Sequence, residues 1–81
     1  MCKSKNLGLA ASSDGINFYI LCQEEESARQ YGIMAEMEND SSDSMSAENL
    51  FFTKEEAEKC CMWLAENNVY PITLCEVLEN F

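Results

Sequence analysis

The apolar residues of this chain change their period once, at Thr53, and that change constrains the fold more than any other feature. Before it, two runs alternate at period two. In INFYILCQ, Ile16, Phe18, Ile20 and Cys22 share one face; in RQYGIMAEME, Tyr31, Ile33, Ala35 and Met37 do the same. After it, Ala57, Cys60, Cys61, Leu64 and Ala65 recur at helical spacing, a stripe that must be buried against something. A short polar link, EEESA, joins the two alternating runs, which suits an antiparallel pair, because parallel strands need a longer crossover. Strands followed by helices give an α+β domain.

The borders of these elements carry their own signals. Asp14-Gly15 is a turn dipeptide ahead of the first run. Gly32 marks a bulge or a place where another group comes close. AENLFF offers a short third strand, with Leu50 and Phe52 on one face and Phe51 on the other. In Thr53-Lys54-Glu55-Glu56 the threonine hydroxyl can accept from the N–H three residues on while Glu56 reaches back, a capping box. Asn67-Asn68 ends the helix, since asparagine tolerates the left-handed conformation of a helix end. Pro71 then forces Tyr70 into extended backbone. A second capping pattern, Thr73 to Glu76, opens a terminal helix whose apolar side is Leu74, Val77, Leu78 and Phe81. Residues 1–14 read as a loosely ordered lead-in, residues 39–46 (NDSSDSMS) as a mobile polar loop, and residues 15–81 as the single domain. The expected architecture is an antiparallel sheet of two or three strands, packed against one main helix plus a short C-terminal helix.

Composition narrows function mainly by exclusion. The chain has 81 residues, enough for one domain that buries about two-thirds of its unfolded surface. It contains no histidine, which removes the commonest general base and the commonest zinc ligand. Three glycines, Gly8, Gly15 and Gly32, form no phosphate-binding loop, and no serine stands in a nucleophile elbow. The net charge is −10, and residues 24–58 supply −9 of it, with eleven acids against Arg29 and Lys54. Nucleic acid and anionic membrane, which are bound through cation clusters, are therefore poor partners. The serine-rich loop is no calcium site. With Asn39 as first ligand, Met45 falls seventh and Leu50 twelfth, where a bidentate glutamate belongs. No enzymatic activity and no cofactor or metal are expected.

The cysteines point to a compartment. Cys2, Cys22, Cys60, Cys61 and Cys75 are odd in number and include no C-x-x-C pair. Neighbouring residues on a helix point about 100° apart, so Cys60 and Cys61 are badly placed to share an ion. They read as small apolar core residues of a reducing cytoplasm. The apolar run at residues 7–11 is shorter than a signal peptide requires, and no run approaches a membrane span.

One surplus remains. Tyr19, Leu21 and Met34 fall on the sheet face opposite the Ile16/Phe18/Ile20 stripe, and Phe51 is placed with them. One helix covers one face only. Either the terminal helix or Leu7 and Leu9 of the lead-in fold over the second face, or a partner or a second copy of the chain does.

The C-terminal third resembles a family of small acidic proteins of Firmicute-type bacteria, a family of unknown function. The matching positions are Tyr31-Gly32-Ile33, Glu66-Asn67, Val69, Pro71-Ile72, Leu74 and Val77-Leu78-Glu79-Asn80-Phe81. The resemblance spans residues 16–81; the Cys60-Cys61 pair and the serine-rich loop depart from its pattern. It implies a bacterial cytosolic domain and brings no activity, ligand or site. The expected function is a non-enzymatic protein-interaction or regulatory module, with a homodimer through the sheet as one form of it. The alternatives are an acidic mimic that occupies the basic nucleic-acid-binding surface of another protein, and a thiol-based sensor using Cys60 or Cys61.

Overall fold

The computed structural model describes residues 4–23 and 30–79. Four strands form an antiparallel meander in the order β1-β2-β3-β4: β1 (Ser4–Ser13), β2 (Ile16–Gln23), β3 (Tyr31–Met37) and β4 (Asp40–Phe51). Helix α1 (Lys54–Glu66), a 3-10 turn (Pro71–Thr73) and helix α2 (Leu74–Glu79) follow. The link read between the two central strands lies outside the described residues, as do Phe81 and the first three residues.

The sheet is larger than the two or three strands expected, and both extra pieces come from segments without an alternating signal. Ser4–Ser13, read as a lead-in, is β1. Its register with β2 shifts twice, between Asn6 and Leu9 and between Leu9 and Ala11. Each shift inserts a residue and resets which face the next side chain takes, so period two is lost from the sequence although pairing continues. Gly8 sits in the first bulge at φ 114°, a conformation that favours glycine. Most of the polar loop read at residues 39–46 belongs to β4, which starts at Asp40 directly after a turn at Glu38 and Asn39. β4 is an edge strand with largely exposed side chains from Ser42 to Ser46, so its serines and acids stand in solvent while its backbone pairs with β3.

The turns and the main helix follow their sequence signals. Asp14 and Gly15 both take positive φ, 47° and 79°, which matches the twist of the strands they join. The Thr53 hydroxyl accepts from the Glu56 N–H at 3.2 Å, and the Thr53 hydroxyl and Glu56 carboxylate also bond at 3.2 Å. At the far end Val69 N–H donates to Leu64 C=O and Asn68 N–H to Ala65 C=O, with Asn68 at φ 50°. This pair of bonds closes the helix by satisfying its last carbonyls. The second capping pattern behaves differently: the Thr73 hydroxyl donates to the Tyr70 carbonyl at 3.1 Å and lies within the 3-10 turn. The terminal helix therefore begins from the geometry set by Pro71 at the first position of that turn.

The core lies between one sheet face and the helices. Ile16, Phe18, Ile20, Ile33 and Ala35 face Ala57, Cys60, Cys61, Leu64 and Ala65 of α1, with Val69 and Leu74 completing the cluster. The sheet contributes the large side chains and the helix mostly small ones, which lets the helix settle close to the strands. Cys60 and Cys61 are both fully buried and act as packing groups.

Candidate functional site

Both helices pack on the same side of the sheet, so the second face is the surface where the fold leaves apolar groups with no helix over them. Strand register gives its layout. Antiparallel partners share a face, so Leu9, Tyr19, Met34 and Ser46 form one row across all four strands. Ser12, Asn17, Glu36 and Ser44 form the next row. On the other side of the apolar row stand Asn6, Leu21 and Gly32.

Of the four residues singled out on this face, the structure brings Tyr19 and Met34 together as a cross-strand pair, both half-buried. Leu21 lies on the same face but is only 6% exposed. Phe51 does not join them. It pairs with Tyr31 and packs against the core on the helix side. Leu50 falls in an irregularity of β4, and Phe52, 59% exposed, lies beyond its end, so the alternation read for this segment is not kept. The cause is a wide irregularity in β4. Between the Ile33/Ala47 and Tyr31/Phe51 pairs, Glu48, Asn49 and Leu50 all stand opposite the single residue Gly32. No short-range pattern in the sequence announces where such an insertion falls.

Leu21 pairs with Gly32 and so stands beside that irregularity. The backbone of β4 arches over Gly32 so closely that a Cβ there would meet the Ala47 carbonyl and the Glu48 Cα. The close approach read at Gly32 is thus present, and the group that approaches is β4 itself. Gln23, 6% exposed, donates its amide N–H to a Glu48 carboxylate oxygen at 3.0 Å. β3 runs between the strands that carry these two residues, so the bond passes above it. Among the described residues, no fully buried side-chain nitrogen or oxygen lacks a partner. One end of the second face is therefore closed by β4, which was not among the segments expected to cover it. The C-terminal helix lies on the core side, and Leu7 and Leu9 are held in β1. Leu9, opposite Tyr19 and 59% exposed, is a member of the open row that period-two reading missed, because the β1 bulges hide its phase.

Other places offer less. A groove of about 220 Å³ separates the β1 bulge from α1, with Leu7, Ile20 and Met62 along it and the Lys54–Glu58 ion pair, 3.8 Å long, at its rim. The pair is about half exposed at both ends, where such contacts contribute little. Burial pushes the Cys60 thiol up to about 11; burial, aided by Cys60 and Glu58 nearby, pushes Cys61 up to about 12. Thiol chemistry needs a shift in the opposite direction. No group of three or more cysteines and carboxylates among the described residues could hold a metal ion. No helix among them is long and apolar enough to cross a membrane.

The chain belongs to a family of unknown function, DUF6514, whose model matches residues 2–81. The match covers β1 as well as the C-terminal elements, so the bulged first strand is part of the family's domain and not an appendage to it. No curated protein and no solved structure matches the chain.

Proposed function

We propose that this domain is a non-enzymatic, cytoplasmic protein-interaction module whose working surface is the helix-free sheet face at Leu9, Tyr19 and Met34. The observation that carries this reading is the register. Three apolar side chains from three strands fall in one row, on the face that neither helix covers. A rigid four-stranded sheet holds them in fixed positions, so binding them costs little conformational entropy. Cytoplasmic residence suits Cys22, Cys60, Cys61 and Cys75, all of which are free thiols.

The test is co-purification from the native host, comparing the wild-type chain with a Tyr19→Ser/Met34→Ser double variant whose thermal unfolding is checked in parallel. A partner retained by the wild type and lost by the folded variant supports the surface. Recovery of the same partners by both chains would overturn it.

A second reading, an acidic mimic that covers a basic nucleic-acid-binding surface, draws on Glu36 and Glu48 beside the apolar row and on the acidic residues of β4. In that case binding would collapse as salt rises and ignore the double substitution, because screening acts on the charges and leaves the apolar row untouched.

A further inference from the structure

The two edge strands are held to the domain very differently. β1 has side-chain anchors: Ala10 and Ala11 pack against the core, and the Ser13 hydroxyl donates to Asn68 Oδ1, beyond the end of α1, at 2.8 Å. In β4, Asp40 and residues 42–46 are exposed and Ala47 is half-buried. Among the described residues, Phe51 is the one β4 side chain that packs against the core. Pairing with β3 runs uninterrupted only over residues 44–47, since the register shifts on both sides of that stretch. The Ser42 N–H and hydroxyl donate to the Asp40 carboxylate, a bond local to the strand. One side-chain bond reaches across the sheet: Gln23, itself buried, donates to Glu48 at 3.0 Å. β4 thus comes close to β2 although β3 stands between them. Detaching β2 or β3 would uncover Ile16, Phe18, Ile20, Ile33 and Ala35, all buried, whereas detaching residues 40–48 of β4 uncovers little apolar surface. Apolar burial is the main term that keeps an element in place, so the two openings differ widely in free energy.

We infer that residues 40–48 form a strap that opens from β3 as a unit while β1, β2, β3 and α1 stay folded, with the Gln23–Glu48 bond as its latch. The strap is tethered at two fixed points, Met37 and Phe51, both of which pack against the core. Opening turns the chain between them into a loop. It frees the outer edge of β3 and lifts the Ala47 carbonyl and the Glu48 Cα away from Gly32. The second face therefore has a closed form and an open form. This is a property of the fold and holds whether or not the face binds a partner.

Native-state hydrogen exchange of the full chain, followed amide by amide at rising urea below the unfolding transition, tests this. The amides of residues 44–47 bonded to β3 should exchange on the order of a hundredfold faster than those bonded between β2 and β3. Their rates should also respond weakly to urea, because the opening exposes little surface. Two variants separate a strap from a generally loose domain. Ile16→Val weakens core packing that the closed and open forms share. It should speed the amides between β2 and β3 by roughly two- to tenfold and leave residues 44–47 unchanged. Glu48→Ala removes the carboxylate and every bond it makes, and so destabilises the closed form alone. It should speed both groups by the same factor, roughly three- to tenfold. If residues 44–47 share the rate and urea dependence of the other amides, or follow Ile16→Val, β4 opens only when the whole domain unfolds and the inference falls. Exchange of these amides at the rate of an unstructured chain would mean that no closed form exists, which also overturns it. No acceleration of residues 44–47 in Glu48→Ala would overturn the latch.

Discussion

The Cα of Glu48 lies 2.8 Å from the point where a side chain on Gly32 would begin, so β4 crosses β3 at a place only glycine can occupy. Gly32 is not at a positive φ, and what it supplies is space. Leu21, only 6% exposed, pairs with Gly32 and stands beside this crossing. Gly32→Ala should therefore push β4 outward. We expect a loss of about 1–3 kcal/mol, the usual range for overpacking, measured by urea unfolding. Leu21 should become more exposed in the same variant. An unchanged midpoint would show that β4 does not cross there.

The phase of α1 gives a matched pair of substitutions. Leu64 is fully buried and Met62 is 57% exposed, although they stand two residues apart. Leu64→Ala should cost ~2–5 kcal/mol, a large share of the stability of a domain this size. Met62→Ala should be close to silent. Equal losses at the two positions in equilibrium unfolding would refute the helix placement.

At the start of α1, Thr53 accepts the Glu56 N–H, and replacing it leaves that donor without its cap. Thr53→Ala should lower stability by about 0.5–2 kcal/mol, whereas Thr53→Ser should keep most of it, because serine supplies the same acceptor. Thermal melts of the two variants side by side decide the point.

Cys60 and Cys61 make stability depend on alkaline pH. Both thiols have an ordinary value of 9.0 and are pushed up, to about 11 and about 12, chiefly by burial. Above pH 9 the unfolded chain loses these protons while the folded chain keeps them, so ionisation favours the unfolded state. Stability should be unaffected by these groups below that pH and fall steadily between 9 and about 11 to 12. A Cys60→Ala/Cys61→Ala chain should show a shallower alkaline decline, whatever its stability at neutral pH. In the native wild type, exposed Cys75 should be alkylated long before Cys60 and Cys61. Rapid labelling of the helix pair would contradict their burial.

The parts of the fold that were legible in the sequence are those where local preference and tertiary position agree. β2 and β3 alternate cleanly because one face is packed under a helix. The stripe of α1 is visible because every member of it, from Ala57 to Ala65, is buried. The Asp14-Gly15 turn and the Thr53 and Asn68 helix ends are local devices that need no distant contact to form. The edge strands were illegible because neither shows a clean alternation. β1 has apolar residues, but its bulges scramble their phase; β4 also shifts register twice, and its serines and acids carry no hydrophobic signal. The candidate face was legible in part. Tyr19 and Met34 follow from period two, whereas the addition of Leu9 and the loss of Phe51 both follow from register shifts.

By itself, then, the sequence determined the class of the fold, the two central strands, the main helix with both its ends, and the absence of histidine chemistry. It also marked Gly32 as either a bulge or a place of close approach. Only the tertiary structure decided what passes there. A single strand, β4, both extends the sheet and folds closely over Gly32 at one end of its open face, while Leu9, Tyr19 and Met34 lie where neither helix packs. The reason is physical: strand periodicity is a local property of successive side chains. A bulge is set by the pairing of residues far apart in the chain, and only the folded sheet brings those together.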